Sequence, residues 1–398
     1  MKYIVLVPDG MADEPVAQLG GKTPLQAANT PYMDRMAQNG QSGLVKTIPD
    51  AFPPGSDIGN LALMGYDPSK NFSGRAPLEA ANMNVLLDVD EVAFRCNLVT
   101  IKGGKMVDYS AGHIPTDEAQ NLIDDLERAI DWPDVRFYPG KSYRHLMVVK
   151  TISVERLLKV KTVPPHDILN QPIVDYLPSG AQCEILRNLM EKSISILADH
   201  QINKFRKDNG ENTADMVWLW GQGSAPELPS FKKRYGLSGS VISAVDLVNG
   251  IGRLAGLKVI DVPGATGYYD TNYRGKAEYA IESLKERDFV YLHVESPDEA
   301  GHNGDLKAKM QCIEHFDKEV VGTVLNHFDH NSDVRILVAP DHPTPVAKRC
   351  HTRAAVPFIL FGSGITANGA KEYSENEAAK IGLKFNSGEE IIQYLFKK

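Results

Sequence analysis

Acidic residues follow three apolar segments that predict buried β-strands. Asp9 follows the first segment, Asp298 lies shortly after the second, and Asp341 follows the third. Because the carboxyl ends of parallel strands meet at one edge of a sheet, these carboxylates are expected to collect there. A single aspartate in such a position would more simply cap a helix or form a turn. The repetition of the pattern favours a shared site.

Histidines accompany two of these carboxylates. Asp298 and His302 have i,i+4 spacing, which places them on one face of a helix. His342 directly follows Asp341, and His351 lies shortly beyond. Mixed carboxylate and imidazole ligands suit Mn²⁺ or Zn²⁺. Any one of these histidines could be a hydrogen-bonded core residue, but the groups taken together predict a metal site.

The candidate nucleophile is Ser56, within the segment Pro53–Asn60. Prolines and a glycine predict a tight turn there, and Ser56 would cap a following helix over Ile58–Met64. The N-terminus of a helix favours a phosphate through its dipole and its free N–H groups, and metal coordination would make the hydroxyl a better nucleophile. An ordinary serine cap is the alternative, and the two roles are compatible.

The composition limits the class of protein. The 398 residues carry a net charge of −8, with 42% hydrophobic and 24% charged residues, as is typical of globular proteins. This charge offers no broad positive field to nucleic acid or anionic lipid, so an anionic substrate would need locally placed cations. The four cysteines are widely spaced and indicate neither a zinc-thiolate site nor a disulfide framework. Without a signal-peptide core or a membrane-length apolar run, we expect a cytoplasmic protein with no membrane partner.

The elements that would position these residues alternate between strand and helix, which predicts an α/β fold with a layered, mostly parallel sheet. The predicted strands are Tyr3–Val7, Leu257–Val262, Phe289–Val294, Val334–Ala339 and Val356–Phe361, all interpreted as buried and parallel. The predicted helices are Thr30–Gln38, Ala244–Leu254, Lys276–Lys285 and Leu306–Phe328.

A chain of this length exceeds the roughly 250–300 residues that one hydrophobic core supports, so two domains are expected. Between about Leu87 and Asp215 the composition becomes more charged, with a strand at His145–Val149 and a helix at Gln182–Phe205. We therefore expect a discontinuous metal-binding core over residues 1–86 and 216–398. A smaller α+β domain over residues 87–215 would be inserted into it and would bind the substrate.

The order of the candidate residues resembles that of a known family. Asp9, Ser56, Asp298-x-x-x-His302, Asp341-His342 and His351 occur in the order found in the alkaline phosphatase superfamily, in particular its archaeal-type cofactor-independent phosphoglycerate mutases. The resemblance covers nearly the whole chain and implies an alkaline-phosphatase-like core. Further shared segments are Lys22–Leu25, Gly65–Pro68, Phe94–Asn97 and Val262–Gly267.

The resemblance implies two divalent metal ions, with Mn²⁺ expected and Zn²⁺ or Mg²⁺ as alternatives. Ser56 would take the phosphoryl group of a small phosphorylated metabolite, form a phosphoserine and return the group to another hydroxyl. The implied activity is the interconversion of 3-phosphoglycerate and 2-phosphoglycerate. One ion would be held by Asp9, Ser56, Asp341 and His342, and the other by Asp298, His302 and His351.

One segment departs from the family pattern. Archaeal-type mutases carry Asp-Arg-Arg-Ala-Gly-Arg where this chain has Asp108–His113, so three arginines are replaced, by Tyr109, Ser110 and His113. None of these offers the planar, bidentate fork with which arginine binds a carboxylate or phosphate. The candidates for substrate binding are Arg75, Arg95, His166 and His113.

The segment Trp218–Gly223 resembles a bacterial branch of the family proposed to include homoserine kinases. The alternative function is therefore a phosphotransferase that acts on a small amino-acid alcohol with the same serine and metals. No Walker motif supports a conventional ATP site, because Val16 stands where the first glycine is required. A catalytically silent metal-binding protein is a third possibility, which the complete ligand set disfavours.

Overall fold

The computed structural model describes residues 1–328 and 333–397. They form two compact units, one of Met1–Phe72 with the residues from Glu227 onward, the other Ser73–Pro226. The second unit thus begins at residue 73 rather than 87 and ends at 226 rather than 215. Its first helix buries Ala76 and Ala80 against the unit's own sheet, a contact that the change in composition near residue 87 does not reveal.

Strands are distributed over both units. In chain order, the described residues contain β1 (Lys2–Pro8), β2 (Gln41–Val45), β3 (Glu91–Lys102), β4 (Lys105–Asp108), β5 (Val135–Tyr138), β6 (Arg144–Lys150), β7 (Met216–Ser224), β8 (Gly239–Ile242), β9 (Lys258–Val259), β10 (Phe289–Val294), β11 (Val334–Val338), β12 (Val356–Gly362) and β13 (Lys384–Phe385).

The α-helices of the described residues are α1 (Pro24–Ala27), α2 (Pro31–Asn39), α3 (Ser56–Leu63), α4 (Pro68–Asn71), α5 (Arg75–Asn82), α6 (Thr116–Ile130), α7 (Val154–Leu158), α8 (Cys183–Ala198), α9 (Gln201–Asp208), α10 (Phe231–Tyr235), α11 (Asp246–Leu254), α12 (Tyr273–Ser283), α13 (Ser296–Asn303), α14 (Leu306–His315), α15 (Gly322–His327), α16 (Glu375–Ile381) and α17 (Gly388–Phe396). Short 3₁₀ helices cover Ala17–Leu19, Pro165–Ile168 and Ile173–Tyr176, and a π-helical turn over Phe316–Val321 joins α14 to α15.

The first unit is built around an eight-stranded sheet in the order β13-β2-β12-β11-β1-β10-β8-β9. Strand β1 lies between β11 and β10 and pairs with both in parallel. Its residues from 3 to 8 are all buried, as expected for a strand covered on both faces. The predicted α/β class with a mostly parallel sheet is confirmed.

Two strand predictions were wrong in detail. Strand β12, predicted to be parallel, pairs antiparallel with both β11 and β2. An apolar run indicates burial on both faces of a strand but contains no information about its direction. The run Leu257–Val262 contributes only the short edge strand β9.

The second unit has an antiparallel sheet in which β3 pairs with β6, β7 and β4. Helix α6 covers it with an apolar stripe at three- and four-residue spacing: Ala119, Leu122, Ile123, Leu126 and Ile130 are all buried. The expected α+β class of the insertion is confirmed. The single helix predicted over Gln182–Phe205 is instead two helices, α8 and α9. His200 is the N-cap of α9, and its ring accepts a hydrogen bond from Ile202 N.

Among the described residues, none of the helices combines the length and apolar character needed to cross a bilayer.

Candidate metal centre and nucleophile

The carboxylates predicted to share one edge of the sheet lie close together. Strands β11, β1 and β10 are neighbours, and each leads from its carboxyl end into an acidic residue of the cluster. Asp9 and Asp341 have no exposed surface and Asp298 is only 3% exposed. Three carboxylates buried this deeply are unfavourable unless a cation neutralises them.

The first predicted ligand set is brought together around Ser56. Ligand atoms of Asp9, Asp341 and His342 lie within 4.8 Å of one another. The Ser56 hydroxyl is 3.1 Å from His342 Nε2. Asp9 Oδ1 is buried and has no hydrogen-bond partner among the described residues, although it lies 3.5 Å from His342 Nε2. A buried carboxylate oxygen without a donor fits a position that binds a cation.

The second predicted set converges in the same way. His302 Nε2 lies 3.2 Å from Asp298 Oδ2 and His351 Nε2 lies 3.5 Å from Asp298 Oδ1. The two Nε2 atoms are 2.8 Å apart. The hydrogen bond to Asp298 raises the pKa of His302 to about 9. Burial opposes ionisation of Asp298, but the two histidines hold the pKa of its carboxyl well below the usual range. A divalent cation could replace the proton that these groups now share.

Outer contacts fix which nitrogen of each histidine faces the cluster. The carbonyl oxygen of Arg349 lies 3.1 Å from His302 Nδ1 and accepts its proton. Thr344 Oγ1 donates to Asp298 Oδ1 and lies 3.2 Å from His342 Nδ1. Because the threonine proton is given to the carboxylate, Thr344 accepts from His342 Nδ1. Nε2 is therefore the nitrogen that faces the cluster in both histidines, and His302 presents a lone pair there once its shared proton is displaced. This is the arrangement that orients histidine ligands in metal sites.

Ser56 differs from its predicted position at the N-terminus of the helix. Gly55, in extended conformation, is the N-cap of α3, and Ser56 is the first residue of the helix. Its hydroxyl contacts His342 Nε2 and so faces the cluster. Asn60 donates to the Ser56 carbonyl at 2.9 Å and to Asp341 Oδ2 at 2.8 Å. One buried amide thus ties the first turn of α3 to the carboxylate beside it.

A glycine allows the chain to pass this closely. Gly10 follows Asp9 with φ +61°, and a Cβ atom there would lie 2.4 Å from Asp298 Oδ1 and 2.6 Å from Thr344 Oγ1. Its N–H donates to Asp341 Oδ1 at 3.2 Å. The position therefore requires glycine both for its conformation and for space.

Sequence reasoning missed a further possible ligand group, in which His293 and Glu295 join Asp9. The fully buried His293 ring lies 2.7 Å from Asp9 Oδ2, and its Nε2 lies 3.5 Å from Glu295 Oε2. Burial, aided by the charge of Lys276, lowers the pKa of His293 to about 3, so the ring is neutral and donates to Asp9. A single histidine inside the apolar run of β10 is most simply interpreted as a core residue. The available signal was its position two residues before Glu295.

Electrostatics in this part of the cluster favour a bound cation. Burial, and then the charge of Asp341, raises the pKa of Asp9 well above the usual value. Burial, followed by Asp298, raises the pKa of Glu295 to about 8. Lys276, whose pKa burial lowers to about 8, supplies partial compensation. The carboxylates repel one another, and divalent ions would relieve that repulsion.

The four candidates for substrate binding all lie in the second unit. Arg95 is 6% exposed, donates through Nε to Glu79 Oε2 at 2.9 Å and stacks over the Trp220 ring at 4.0 Å. Arg75 Nε lies 3.7 Å from the other Glu79 oxygen. The His166 ring is 5.4 Å from that of Trp220. The structure thus brings Arg75, Arg95 and His166 together.

His113 stands further away. The distances between ring centroids are 5.9 Å from His113 to Tyr143, 5.7 Å from Tyr143 to Tyr109 and 6.0 Å from Tyr109 to His166.

The two tryptophans of the segment Trp218–Gly223 have different surroundings. Trp218 is a core residue that donates to the Val163 carbonyl. Trp220 instead contacts the Arg95 guanidinium and the His166 ring.

Comparisons with known proteins give the same family. The model of the family described as 2,3-bisphosphoglycerate-independent phosphoglycerate mutase matches residues 37–203. A curated mutase of that name from Methanosarcina acetivorans is 52% identical over 96% of each chain. A Geobacter sulfurreducens protein named as a probable mutase of this kind is 48% identical over the full length of both chains.

Solved structures agree with these relatives. A Pyrococcus horikoshii protein covers 99% of this chain and 96% of its own, with a TM-score of 0.84 and 30% identity. The cofactor-independent phosphoglycerate mutase of Thermoplasma acidophilum covers 99% of each chain, with a TM-score of 0.66 and 26% identity. At 52% and 48% identity to these relatives over nearly its whole length, the chain belongs to the family of 2,3-bisphosphoglycerate-independent phosphoglycerate mutases.

Proposed function

We propose that the protein is a metal-dependent phosphomutase that interconverts 3-phosphoglycerate and 2-phosphoglycerate through a phosphoserine at Ser56. The observation that carries this proposal is the position of the Ser56 hydroxyl, 3.1 Å from His342 Nε2, in a cluster where a buried carboxylate oxygen of Asp9 lacks a donor. The near full-length similarity to named mutases supports the same reaction.

The donor set fits two divalent cations. When bound, such ions would activate the serine hydroxyl and neutralise charge on the phosphoryl oxygens. The mixture of carboxylates and imidazoles makes Mn²⁺ our first choice, with Zn²⁺ and Mg²⁺ as alternatives. One ion would be held by Asp9, Ser56, Asp341 and His342, and the other by Asp298, His302 and His351.

The residues of the chain would hold the nucleophile in place. The Ser56 oxygen forms a bond to phosphorus as the bond from phosphorus to the substrate oxygen breaks, and the return step transfers the group to the other hydroxyl of glycerate. Ser56 opens α3, so the helix dipole favours the anionic phosphoryl group. Asn60 holds the first turn of that helix against Asp341, which limits movement of the attacking oxygen.

The substrate-binding role is proposed for the second unit. Arg75, Arg95, His166 and His113, all in this unit, would supply the cationic and polar groups that recognise glycerate. Of these residues, Arg95 lies on β3, a strand with antiparallel pairing.

Ser56→Ala tests the covalent step. With Mn²⁺-loaded protein and ³²P-labelled 3-phosphoglycerate, we expect loss of acid-stable labelling and a fall in enolase-coupled turnover of at least about 10³-fold. Metal binding should be largely retained, because three protein ligands remain at that ion. Ser195→Ala, a change of an exposed serine on α8, is the control. Turnover that survives in the Ser56→Ala protein would show that the phosphoserine route is wrong.

A second candidate is a phosphotransferase that acts on an amino-acid alcohol. It is favoured by the Asp108 loop, where one carboxylate accepts hydrogen bonds from Ser110 N, Ser110 Oγ, Gly112 N and Asn212 Nδ2. These hydrogen bonds to Asp108 stabilise the loop. The loop carries none of the three family arginines. Incubation with homoserine and ATP tests this reading, and absence of homoserine phosphate would discard it.

A further inference from the structure

Strand β10 directs two polar side chains away from the apolar core of its sheet. Residues 290, 292 and 294 pack in that core on one face of the strand. Tyr291 and His293 alternate with them and therefore point to the opposite face. Both side chains are fully buried. His293 contacts Asp9 directly, whereas Tyr291 reaches the ligand cluster through one intervening residue.

That intervening residue is Asn60, on α3. The Tyr291 hydroxyl donates to Asn60 Oδ1 at 2.7 Å. The amide nitrogen of Asn60 donates to the Ser56 carbonyl oxygen and to Asp341 Oδ2. Asn60 has no exposed surface. Both protons of its amide and the amide oxygen are therefore engaged in buried hydrogen bonds.

The orientation of the Asn60 amide follows from these partners. A peptide carbonyl and a carboxylate oxygen accept hydrogen bonds, so the NH₂ group faces Ser56 and Asp341. The amide oxygen then faces Tyr291, which donates to it. Burial, followed by the charges of Asp341 and Asp9, raises the pKa of Tyr291 well above its usual value, so the hydroxyl keeps the proton that it donates. Loss of this hydroxyl would take a hydrogen bond from a buried oxygen, which is costly.

The helix that carries the nucleophile is packed tightly at this point. A Cβ atom at Gly59 would lie 2.5 Å from the Asp341 carbonyl oxygen, so the backbone of α3 lies directly against that of Asp341. Ser56 is the first residue of the same helix, about one turn before Asn60. A movement of this turn that released the Tyr291 contact would therefore carry the Ser56 oxygen with it. Misplacement of a reacting atom by about 1 Å can slow a reaction about 100-fold.

We propose that Tyr291 is a positioning residue for the nucleophile. Acting through Asn60, it fixes the first turn of α3 and so the direction from which the Ser56 oxygen attacks phosphorus. The inference rests on the proposed phosphoserine function and deepens it. Because Tyr291 acts through Asn60, its loss should slow the chemical step without weakening substrate binding. The same loss should have no further effect once the Asn60 amide has been removed.

Tyr291→Phe, which removes only the hydroxyl, tests the proposal in the full-length, Mn²⁺-loaded protein. Rapid-quench measurements with ³²P-labelled 3-phosphoglycerate give the rate of Ser56 labelling. We expect this rate and kcat to fall about 10- to 100-fold, with KM within about twofold of the unaltered value. Tyr291→Phe combined with Asn60→Ala should be as active as Asn60→Ala alone, within about twofold. An unchanged labelling rate in Tyr291→Phe, or losses that multiply in the double variant, would overturn the proposal.

Hydrogen exchange of the metal-free protein gives a readout that does not depend on turnover. The amides of Ile58 and Gly59 donate to the Gly55 carbonyl in the first turn of α3. We expect these amides to exchange about 5- to 50-fold faster in Tyr291→Phe, because the turn has lost its buried anchor. Exchange at the unaltered rate would overturn the proposal even if turnover fell.

Tyr373→Phe is the matched control. This buried tyrosine of the same unit also donates one hydrogen bond, to the Pro357 carbonyl at 2.9 Å. Its loss should leave Ser56 labelling, KM and exchange in α3 within about twofold of the unaltered protein. Equal slowing in Tyr373→Phe and Tyr291→Phe would reveal a general effect of stability and would overturn the positioning role.

The outcomes separate this proposal from the proposed function. If Ser56→Ala abolishes labelling while Tyr291→Phe is labelled at the normal rate, the positioning role is wrong and the phosphoserine route stands. If turnover survives Ser56→Ala, the phosphoserine route is wrong and the role of Tyr291 in attack falls with it. Faster exchange of α3 in Tyr291→Phe would then still support the contact through Asn60.

Discussion

Thr344 links the two predicted ligand sets, and its substitution should weaken metal binding without removing a ligand. Its hydroxyl donates to Asp298 Oδ1 and accepts from His342 Nδ1, and the residue has no exposed surface. Thr344→Val keeps the shape but removes the hydroxyl that donates to Asp298 Oδ1. It also removes the oxygen that accepts the proton of His342 Nδ1. The ring can then carry its proton on Nε2 instead, where the proton blocks binding of a metal.

The magnitude follows from these two contacts. A buried hydrogen bond to a charged group contributes about 1.5–3 kcal/mol, and loss of an outer partner of a ligand typically lowers metal affinity about 10- to 100-fold. We expect Thr344→Val to weaken Mn²⁺ binding by this factor at one or both ions. The measurement is chelator-competition titration of metal-free protein.

Thr344→Ser is the matched control, because it keeps the hydroxyl and should bind Mn²⁺ within about threefold of the unaltered protein. Circular dichroism at the titration temperature checks that both variants are folded. Wild-type affinity at both ions in Thr344→Val would refute the assigned hydrogen-bond directions and the role given to Thr344.

Two further predictions concern the same cluster. Gly10→Ala would place a Cβ 2.4 Å from Asp298 Oδ1 at a φ of +61°, so we expect loss of Mn²⁺ affinity and a lower unfolding free energy in urea, by about 2 kcal/mol or more. Gly20→Ala, at φ +64° in open space, controls for backbone strain, and an equal loss there would contradict the steric argument. Because the pKa of His302 is about 9 and its ligand form is neutral, Mn²⁺ must displace a proton below that pH. The affinity for Mn²⁺ should rise from pH 7 toward pH 9, by up to about tenfold per pH unit. Calorimetry in buffers of different ionisation enthalpy counts the protons released when Mn²⁺ binds. An affinity that does not change with pH would refute this prediction.

The positions of the carboxylates were predictable because they depend on a local rule. Apolar runs identify buried strands, and parallel strands bring their carboxyl ends to one edge of a sheet. Asp9 and Asp341 could therefore be assigned to one site from the printed sequence. The direction of β12 could not, because parallel and antiparallel neighbours bury the same residues.

Other features depend on tertiary pairing that local sequence does not contain. Arg95 faces Trp220 only through the register of β3 and β7, strands far apart in the chain. His293 and Thr344 have ordinary sequence surroundings, and they acquire roles only because Asp9 and His342 lie beside them in space. The boundary at residue 73 follows from packing of α5, which the change in composition cannot show.

The insertion of the second unit also affects the order in which the molecule can assemble during synthesis. Strand β1 occupies the middle of its sheet, yet both of its partners, β10 and β11, are translated after the insertion. From the end of β1 at Pro8 to the end of β11 at Val338, the ribosome adds about 330 residues, which takes roughly 16–66 s at about 5–20 residues per second. Until β10 is complete at Val294, an apolar strand and the aspartate that follows it lack both strand partners, and the second unit is translated in the meantime. An apolar strand left without partners is prone to aggregate, so β1 depends on protection during this interval.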